Sequence, residues 1–263
     1  MLSKRSIQFL PTLRNLTTRA NTTRQFTSIT NKSTGLGLKT SFKSQIRFVS
    51  EVVRINSIAP NFQAETTRGK IDLHEYIGDS WLILFSHPAD FTPVCTTELG
   101  ALSSRLGELE DLNAKAIALS VDTVSEHEEW SKDLEQLGSK LKFPIIDDSK
   151  GEIAYTYNMF PQEEYQNKTK KLVPTVRSLF IIDPNKKVRL ILTYPPSVGR
   201  NVDEVIRALK ALQVGDEYGV VTPVDWQPGQ EVIIPPSISD EDATKKYGEF
   251  RKVLPYLRYT KVD

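Results

Sequence analysis

The longest uninterrupted apolar stretch of the chain is Trp81-Leu-Ile-Leu-Phe85, continued by Ser86 and His87 and bounded by Gly78 and Pro88. A continuous apolar run of this length predicts a strand over 81–87 that is buried on both faces. Lys115–Val121 repeats the pattern and predicts a second buried strand. Between them, Leu99, Leu102, Leu106 and Leu109 recur at three- and four-residue intervals, which predicts a helix over 95–109. Ser125–Leu141 reads as another helix, and Ser125 with Glu128 has the spacing of a capping box. Phe143–Ile146 reads as a short strand ending at Asp147-Asp148. Thr175–Ile182 and Lys187–Thr193 flank Asp-Pro-Asn-Lys and read as a hairpin. Val202–Leu212 is a further amphipathic helix. Strands alternating with helices, plus one hairpin, predict an α/β fold with a mixed central sheet flanked by helices. From Thr222 the texture changes: Pro223, Pro228, Pro235, Pro236 and Pro255 punctuate short strand-like pieces such as Glu231–Ile234. The body is therefore assigned to 51–221 and a small C-terminal module to 222–263, too short to be stable alone.

Composition sharpens this picture through its asymmetry. Residues 1–50 hold nine Lys or Arg, no acid, and sixteen Ser or Thr; the remaining 25 basic and 33 acidic residues give 51–263 a net charge of −8. The basic residues of 1–50 are dispersed among Ser, Thr and apolar positions rather than clustered. That is the pattern of a mitochondrial transit peptide, with cleavage expected between about residues 25 and 50 and the matrix as destination. The acidic remainder argues against nucleic-acid binding. No apolar run approaches the ~18 residues of a membrane span, which argues against membrane insertion.

Cys95 is the single cysteine of 263 residues, so neither an intramolecular disulfide nor a cysteine-cluster metal site can form. His74, His87 and His127 show no ligand spacing, and no phosphate-cradling glycine loop is present; no cofactor and no metal are expected. A lone cysteine is commonly a small buried hydrophobe. Its surroundings suggest otherwise. Cys95 follows the strand 81–87 and the loop Pro88-Ala-Asp-Phe-Thr-Pro-Val94, and it opens the helix. Pro93 suits a helix start. A sulfur in the first helical turn meets free N–H groups and the positive end of the helix dipole, which favour the thiolate, the nucleophilic form. Thr92 could set its hydroxyl beside the sulfur or serve as a turn or cap residue, and Pro88 could shield the sulfur or be an ordinary loop proline.

The block Phe85-Ser-His-Pro-Ala-Asp-Phe-Thr-Pro-Val-Cys95-Thr-Thr-Glu98 resembles the peroxidatic segment of the one-cysteine peroxiredoxins. Further matches to that branch are Gly78-Asp-Ser-Trp81, Thr193-Tyr-Pro195 with Gly199-Arg-Asn201, Thr222-Pro-Val-Asp-Trp226, and Tyr256-Leu-Arg-Tyr-Thr260. The resemblance implies a thioredoxin-like fold with a small C-terminal domain that helps form a homodimer. It implies that Cys95 attacks a hydroperoxide, that Thr92 bonds the peroxide, that Pro88 screens the sulfur, and that Arg177 holds both thiolate and peroxide. Glu98 and Arg200 match positions expected to orient Arg177; for His87, a packing role is at least as expected. Without a second cysteine, the resulting sulfenic acid must be resolved by an external thiol such as glutathione, glutaredoxin or thioredoxin. Two rival readings follow. A redox relay or holdase chaperone is compatible with the same residues. Mammalian relatives are also described as phospholipases with a Gly-x-Ser-x-Gly site, but here the last glycine is Leu82 and the acid position is Asn185, which argues against that activity.

Overall fold

The computed structural model describes residues 52–167 and 172–262. The basic segment 1–50 and its cleavage point lie outside the described residues. The described chain opens with a two-residue hairpin, β1 (Gln63–Ala64) and β2 (Ile71–Asp72), and a short helix, α1 (Leu73–Ile77). The Asp72 carboxylate accepts from the backbone N–H groups of His74 and Glu75 and so starts α1. These elements are too short to leave a periodic signature and are additions to the predicted set.

The central sheet matches the predicted strands closely. β3 (Trp81–Ser86) is followed by α2 (Pro93–Ser104), α3 (Leu106–Asp111) and β4 (Ala114–Ser120). Next come α4 (Val124–Gln136), β5 (Ile145–Asp147), α5 (Glu152–Thr156) and α6 (Gln162–Asn167). The hairpin β6 (Arg177–Ile182) and β7 (Val188–Tyr194) then leads into α7 (Val202–Tyr218). β3, β4 and β5 are parallel, β6 is antiparallel to β3, and β7 is antiparallel to β6, giving the order β5-β4-β3-β6-β7.

Side chains alternate across this sheet. Ile83, Phe85, Ala116, Ala118, Leu179 and Ile181 pack with Leu99, Trp130, Leu134, Val205 and Leu209 from the helices. Leu82, Leu84, Ile117, Leu119, Phe180 and Ile182 pack with Leu73, Ile77, Ile153 and Tyr157 in a second layer. Both faces are covered, which is why the strands read as unbroken apolar runs. The three alanines of β4 sit in the layer that takes the bulky Trp130, so small strand residues make room for a large helix residue.

α4 ends at Gln136 rather than at the expected Leu141, with Gly138 at φ +81° just beyond it. Three further boundaries differ from expectation, each for a local reason. The predicted helix over 95–109 is two helices, because Arg105 (φ −99°, ψ 6°) tightens the chain between them. Its N–H donates to Leu102 O, three residues back, and its guanidinium binds Glu108 and Asp203. The leucine spacing survives because Leu99, Leu102, Leu106 and Leu109 remain buried across the break. The cap of α4 is Thr123 rather than Ser125. The sequence holds two overlapping boxes, Thr123-x-x-Glu126 and Ser125-x-x-Glu128, and the first forms: Glu126 N donates to Thr123 Oγ1, and Thr123 N donates to Glu126 Oε2 at 2.7 Å. Finally, α7 continues to Tyr218, beyond the predicted Leu212. Its first turns bury Val205, Ile206, Ala208 and Leu209 against the sheet, whereas Val214 and Tyr218 pack against Val220, Trp226 and Val232. The apolar face thus changes partner midway, which blurs the periodicity.

Beyond α7 lie β8 (Val232–Ile233), α8 (Asp240–Tyr247), β9 (Arg251–Leu254) and β10 (Leu257–Thr260). The strands form a small antiparallel sheet in the order β8-β10-β9. Among the described residues, no helix is long and apolar enough to cross a membrane. The cap assignment carries a direct consequence. Thr123→Ala is expected to lower stability by about 1 kcal/mol, while Ser125→Ala at its exposed site changes it by only a few tenths, as read from urea unfolding midpoints.

Candidate active site

Cys95 is the third residue of α2, behind Thr92 at the cap position and Pro93 at the first helical position. Thr92 has extended backbone (φ −112°, ψ 142°), and its carbonyl accepts from Thr96 N at 3.0 Å, so the helix begins immediately after it. The sulfur therefore sits in the turn whose N–H groups lack helical acceptors. Cys95 is fully buried and is part of the apolar layer beneath α2.

Among the described residues, one polar group reaches it. Arg177, the first residue of β6, places Nη1 3.4 Å from Cys95 Sγ. The same Nη1 donates to Glu98 Oε2 at 2.8 Å, while Nε and Nη2 donate to the Pro196 carbonyl at 3.0 and 2.7 Å. Glu98 lies one helical turn beyond Cys95, on the same side of α2. Its other partner is Arg200, which donates to it from Nε, Nη2 and the backbone N at 3.0, 2.8 and 2.7 Å. Arg200 Nη1 also donates to the carbonyls of Ser86 and Ser178. Burial pushes the Glu98 carboxyl up, but the charge and hydrogen bonds of Arg200, joined by the charge of Arg177, outweigh it and hold the group below the usual carboxylate range. Burial likewise works against the Arg200 charge, and Glu98 opposes that effect. Glu98 thus contacts Arg177 directly, and Arg200 is linked to Arg177 through Glu98.

Thr92 and Pro88 are placed by the loop between β3 and α2. Pro88 is buried. The Thr92 hydroxyl does not cap α2; it donates to the Ala89 carbonyl at 2.9 Å, so its proton is engaged within the loop. The loop is tied down at Asp90, whose backbone N–H donates to Asp122 Oδ2 at 2.9 Å. The Asp90 carboxylate lies between His87 Nε2 at 2.7 Å and His127 Nδ1 at 2.6 Å. Thr175 Oγ1 donates to the His87 carbonyl at 2.9 Å, and Ser86 Oγ donates to Val176 O at 2.6 Å, fastening the end of β3 to the start of β6.

Sequence reasoning missed the Pro196 carbonyl, which carries no side-chain signal, and it missed the Asp90–His127 pair. The latter had no signal in the sequence, because the two residues are 37 positions apart and only the fold joins them. The serine–histidine alternative is not assembled. Ser80 Oγ donates to Asn113 Oδ1 at 3.0 Å, and His74 Nε2 bonds the Ala59 carbonyl at 2.8 Å.

Comparison with known proteins identifies the family. Residues 55–191 match the AhpC/TSA family, and residues 211–249 match the C-terminal domain of 1-Cys peroxiredoxin. The mitochondrial peroxiredoxin PRX1 of Saccharomyces cerevisiae is 52% identical over 212 residues, covering 80% of this chain and 81% of that protein. Human peroxiredoxin-6 is 47% identical over 218 residues, covering 78% of this chain and 96% of that protein. A solved structure of a yeast mitochondrial 1-Cys peroxiredoxin, determined to explain thiol resolution via the glutathione/thioredoxin systems, superposes with a TM-score of 0.74 at 49% identity. It covers 80% of this chain and all of that one. A peroxiredoxin 6 from Arenicola marina gives a TM-score of 0.75 at 40% identity, covering 80% of this chain and 98% of that one. With its thioredoxin-like fold and its one cysteine, the chain belongs to the 1-Cys peroxiredoxins of the AhpC/TSA family, the thiol-dependent peroxidases.

Proposed function

We propose that Cys95 is the peroxidatic sulfur and that hydrogen peroxide and small organic hydroperoxides are reduced at it. The observation that carries this reading is the 3.4 Å approach of Arg177 Nη1 to a sulfur in the first turn of α2. The thiolate attacks one peroxide oxygen. An S–O bond forms, the O–O bond breaks, and the electron pair leaves with the second oxygen as hydroxide or alkoxide. That oxygen takes a proton and departs as water or alcohol. Sulfur is oxidised by two electrons to Cys95–SOH, and the peroxide is reduced by two. Arg177 supplies fixed positive charge where negative charge grows in the transition state. Its two bonds to Pro196 and one to Glu98 fix the guanidinium plane before the substrate arrives. Thr92 donates no bond to the sulfur in this state; its oxygen lone pairs remain available to accept a peroxide proton. Pro88, buried at the end of β3, has no N–H to offer water and screens the sulfur.

Since Cys95 is fully buried, a hydroperoxide reaches it only through local movement of its surroundings. The sulfenic acid is then resolved by an external thiol: the thiol sulfur displaces water to give a mixed disulfide, and a second thiol releases Cys95 as a thiol. Glutathione, glutaredoxin and thioredoxin are the candidates, and the yeast relative studied with the glutathione and thioredoxin systems supports them. We also assign the chain to the mitochondrial matrix as a homodimer. The acid-free, Arg- and Ser-rich segment 1–50 and the mitochondrial relative support the compartment.

Stopped-flow measurement of hydrogen peroxide consumption tests the assignment. Cys95→Ser is expected to abolish turnover. Arg177→Ala is expected to slow the peroxide step by about 10²–10³, and Arg177→Lys to recover little of it, because a lysine cannot reproduce the planar fork on Pro196 and Glu98. Full activity in Cys95→Ser would overturn the reading. Supplying each thiol system in turn identifies the reductant as the one that sustains many turnovers. With all of them withheld, excess peroxide is expected to drive Cys95 to the sulfinic acid, seen as a mass gain of two oxygens.

A further inference from the structure

The loop between β3 and α2 is anchored by a buried trio whose proton count follows from its geometry. His127, on α4, has both ring nitrogens engaged: Nε2 lies 3.0 Å from the Ile146 carbonyl and Nδ1 lies 2.6 Å from Asp90 Oδ2. A carbonyl only accepts, so Nε2 carries a proton. A second proton must then lie between Nδ1 and Oδ2. Asp90 Oδ1 is 2.7 Å from His87 Nε2, which therefore donates, leaving His87 Nδ1 bare and, among the described residues, without a hydrogen-bond partner. His87 and His127 are both fully buried.

The electrostatics place the second proton on His127. Burial opposes its charge, but the hydrogen bond and charge of Asp90 outweigh burial and raise the group above its ordinary value. Burial pushes Asp90 up, but hydrogen bonds from His127 and His87 hold it below its usual range. His87 stays below its ordinary value because burial dominates there. The groups facing His127 are acidic on every packed element: Asp90 from the loop after β3, Asp122 from the turn after β4, Asp147 from β5 and Glu126 on its own helix, with His87 alone opposing.

Asp90 precedes Phe91, which is half exposed and held at φ +54°, a strained backbone for a bulky residue. Thr92 follows directly. The bonds at Asp90 are thus what fix the strained turn ahead of the reactive helix. We propose that His127 is a positioning residue for peroxide reduction, acting through Asp90, and that the loop is released when His127 loses its second proton. With one proton left, His127 can satisfy Ile146 or Asp90 but not both; the other contact becomes lone pair against lone pair. The clamp is closed below the raised His127 transition and opens as pH rises through it. Ionisation of a reacting thiol acts in the opposite sense, since it can only speed the reaction as pH rises.

This inference rests on Cys95 being the reacting sulfur. The test is the second-order rate with hydrogen peroxide, followed from neutral to alkaline pH, alongside alkylation of Cys95 by a bulky maleimide. Wild type is expected to lose about tenfold in peroxide rate across the His127 transition, the worth of one charge-assisted bond, while alkylation becomes faster than in His127→Asn at the same pH. His127→Asn, whose amide donates to Asp90 without titrating, should keep the neutral rate and lack the alkaline fall. His127→Leu should be slow throughout. The same fall in His127→Asn, or a flat wild-type profile, overturns the proposal. Should the variants not fold, 15N NMR of the three histidines in the wild-type protein decides it. His127 must be doubly protonated on the acid side of its transition and titrate in step with the rate; an imidazole that stays neutral, or titration out of step, overturns it. A wild-type rate no faster than a free thiol at every pH would instead sink the Cys95 assignment.

Discussion

The Glu98 carboxylate binds two buried arginines, and one of them, Arg177, also reaches a buried sulfur. Arg177, Arg200 and Glu98 are each less than one-tenth exposed, so none can rely on water to offset its charge. Two guanidiniums and one carboxylate leave one unit of positive charge uncompensated in a poorly hydrated space. Removing Glu98 would leave two like charges packed together, an arrangement far costlier than the pair itself. With Glu98 present, the residual charge is aimed at Sγ, and it suits an anionic sulfur, a bound peroxide or the charge that develops as the O–O bond breaks. On the proposed mechanism the carboxylate serves catalysis without touching substrate, by making it tolerable to bury the arginine that does.

The mixed sheet is what brings these groups together. In the register of β3 with β6, Phe85 pairs with Leu179 and Leu84 with Phe180. Because that pairing is antiparallel, the first residue of β6 lies beside the last residues of β3. A parallel strand would have started at the opposite end of the sheet. The end of β3 delivers the loop and the start of α2, and the start of β6 delivers Arg177. The hairpin return along β7 brings Pro196 and then Arg200 to the same edge, and Arg200 bonds the carbonyls of Ser86 and Ser178 across the two strands. Residues far apart in sequence thus meet at one end of the sheet because of strand direction alone.

Much of this was legible in the chain. The strands are buried on both faces, so β3, β4 and β6 announce themselves as apolar runs, and Pro93 marks the start of the helix that carries Cys95. Arg177 was legible only through the family resemblance, since an arginine at the start of a strand has no distinctive pattern of its own. Other features were hidden for identifiable reasons. Arg105 breaks a helix without disturbing its leucine spacing. Thr123 and Ser125 offer equivalent caps, and only the tertiary position of the turn selects the first. Pro196 acts through a main-chain oxygen, and Asp90 and His127 are joined only by folding.

Burial of the sulfur sets a demand that the rest of the fold must meet. A site sealed from water strengthens the Arg177 charge but also shuts out the thiol that must resolve the sulfenic acid. With one cysteine in the chain, no internal partner can do so. Access then depends on opening the first turn of α2 and the loop ahead of it, at a free energy well below that of global unfolding. The bonds that hold this region are of two kinds. Arg177 and Arg200 are fastened through the Glu98 carboxylate and through the main-chain carbonyls of Pro196, Ser86 and Ser178. Asp90 is fastened from the α4 side through His127, whose second proton is the proposed switch. On that proposal the loop loosens on the α4 side while the guanidinium stays fixed against the Pro196 carbonyl, so that the sulfur is exposed without dismantling the charge beside it.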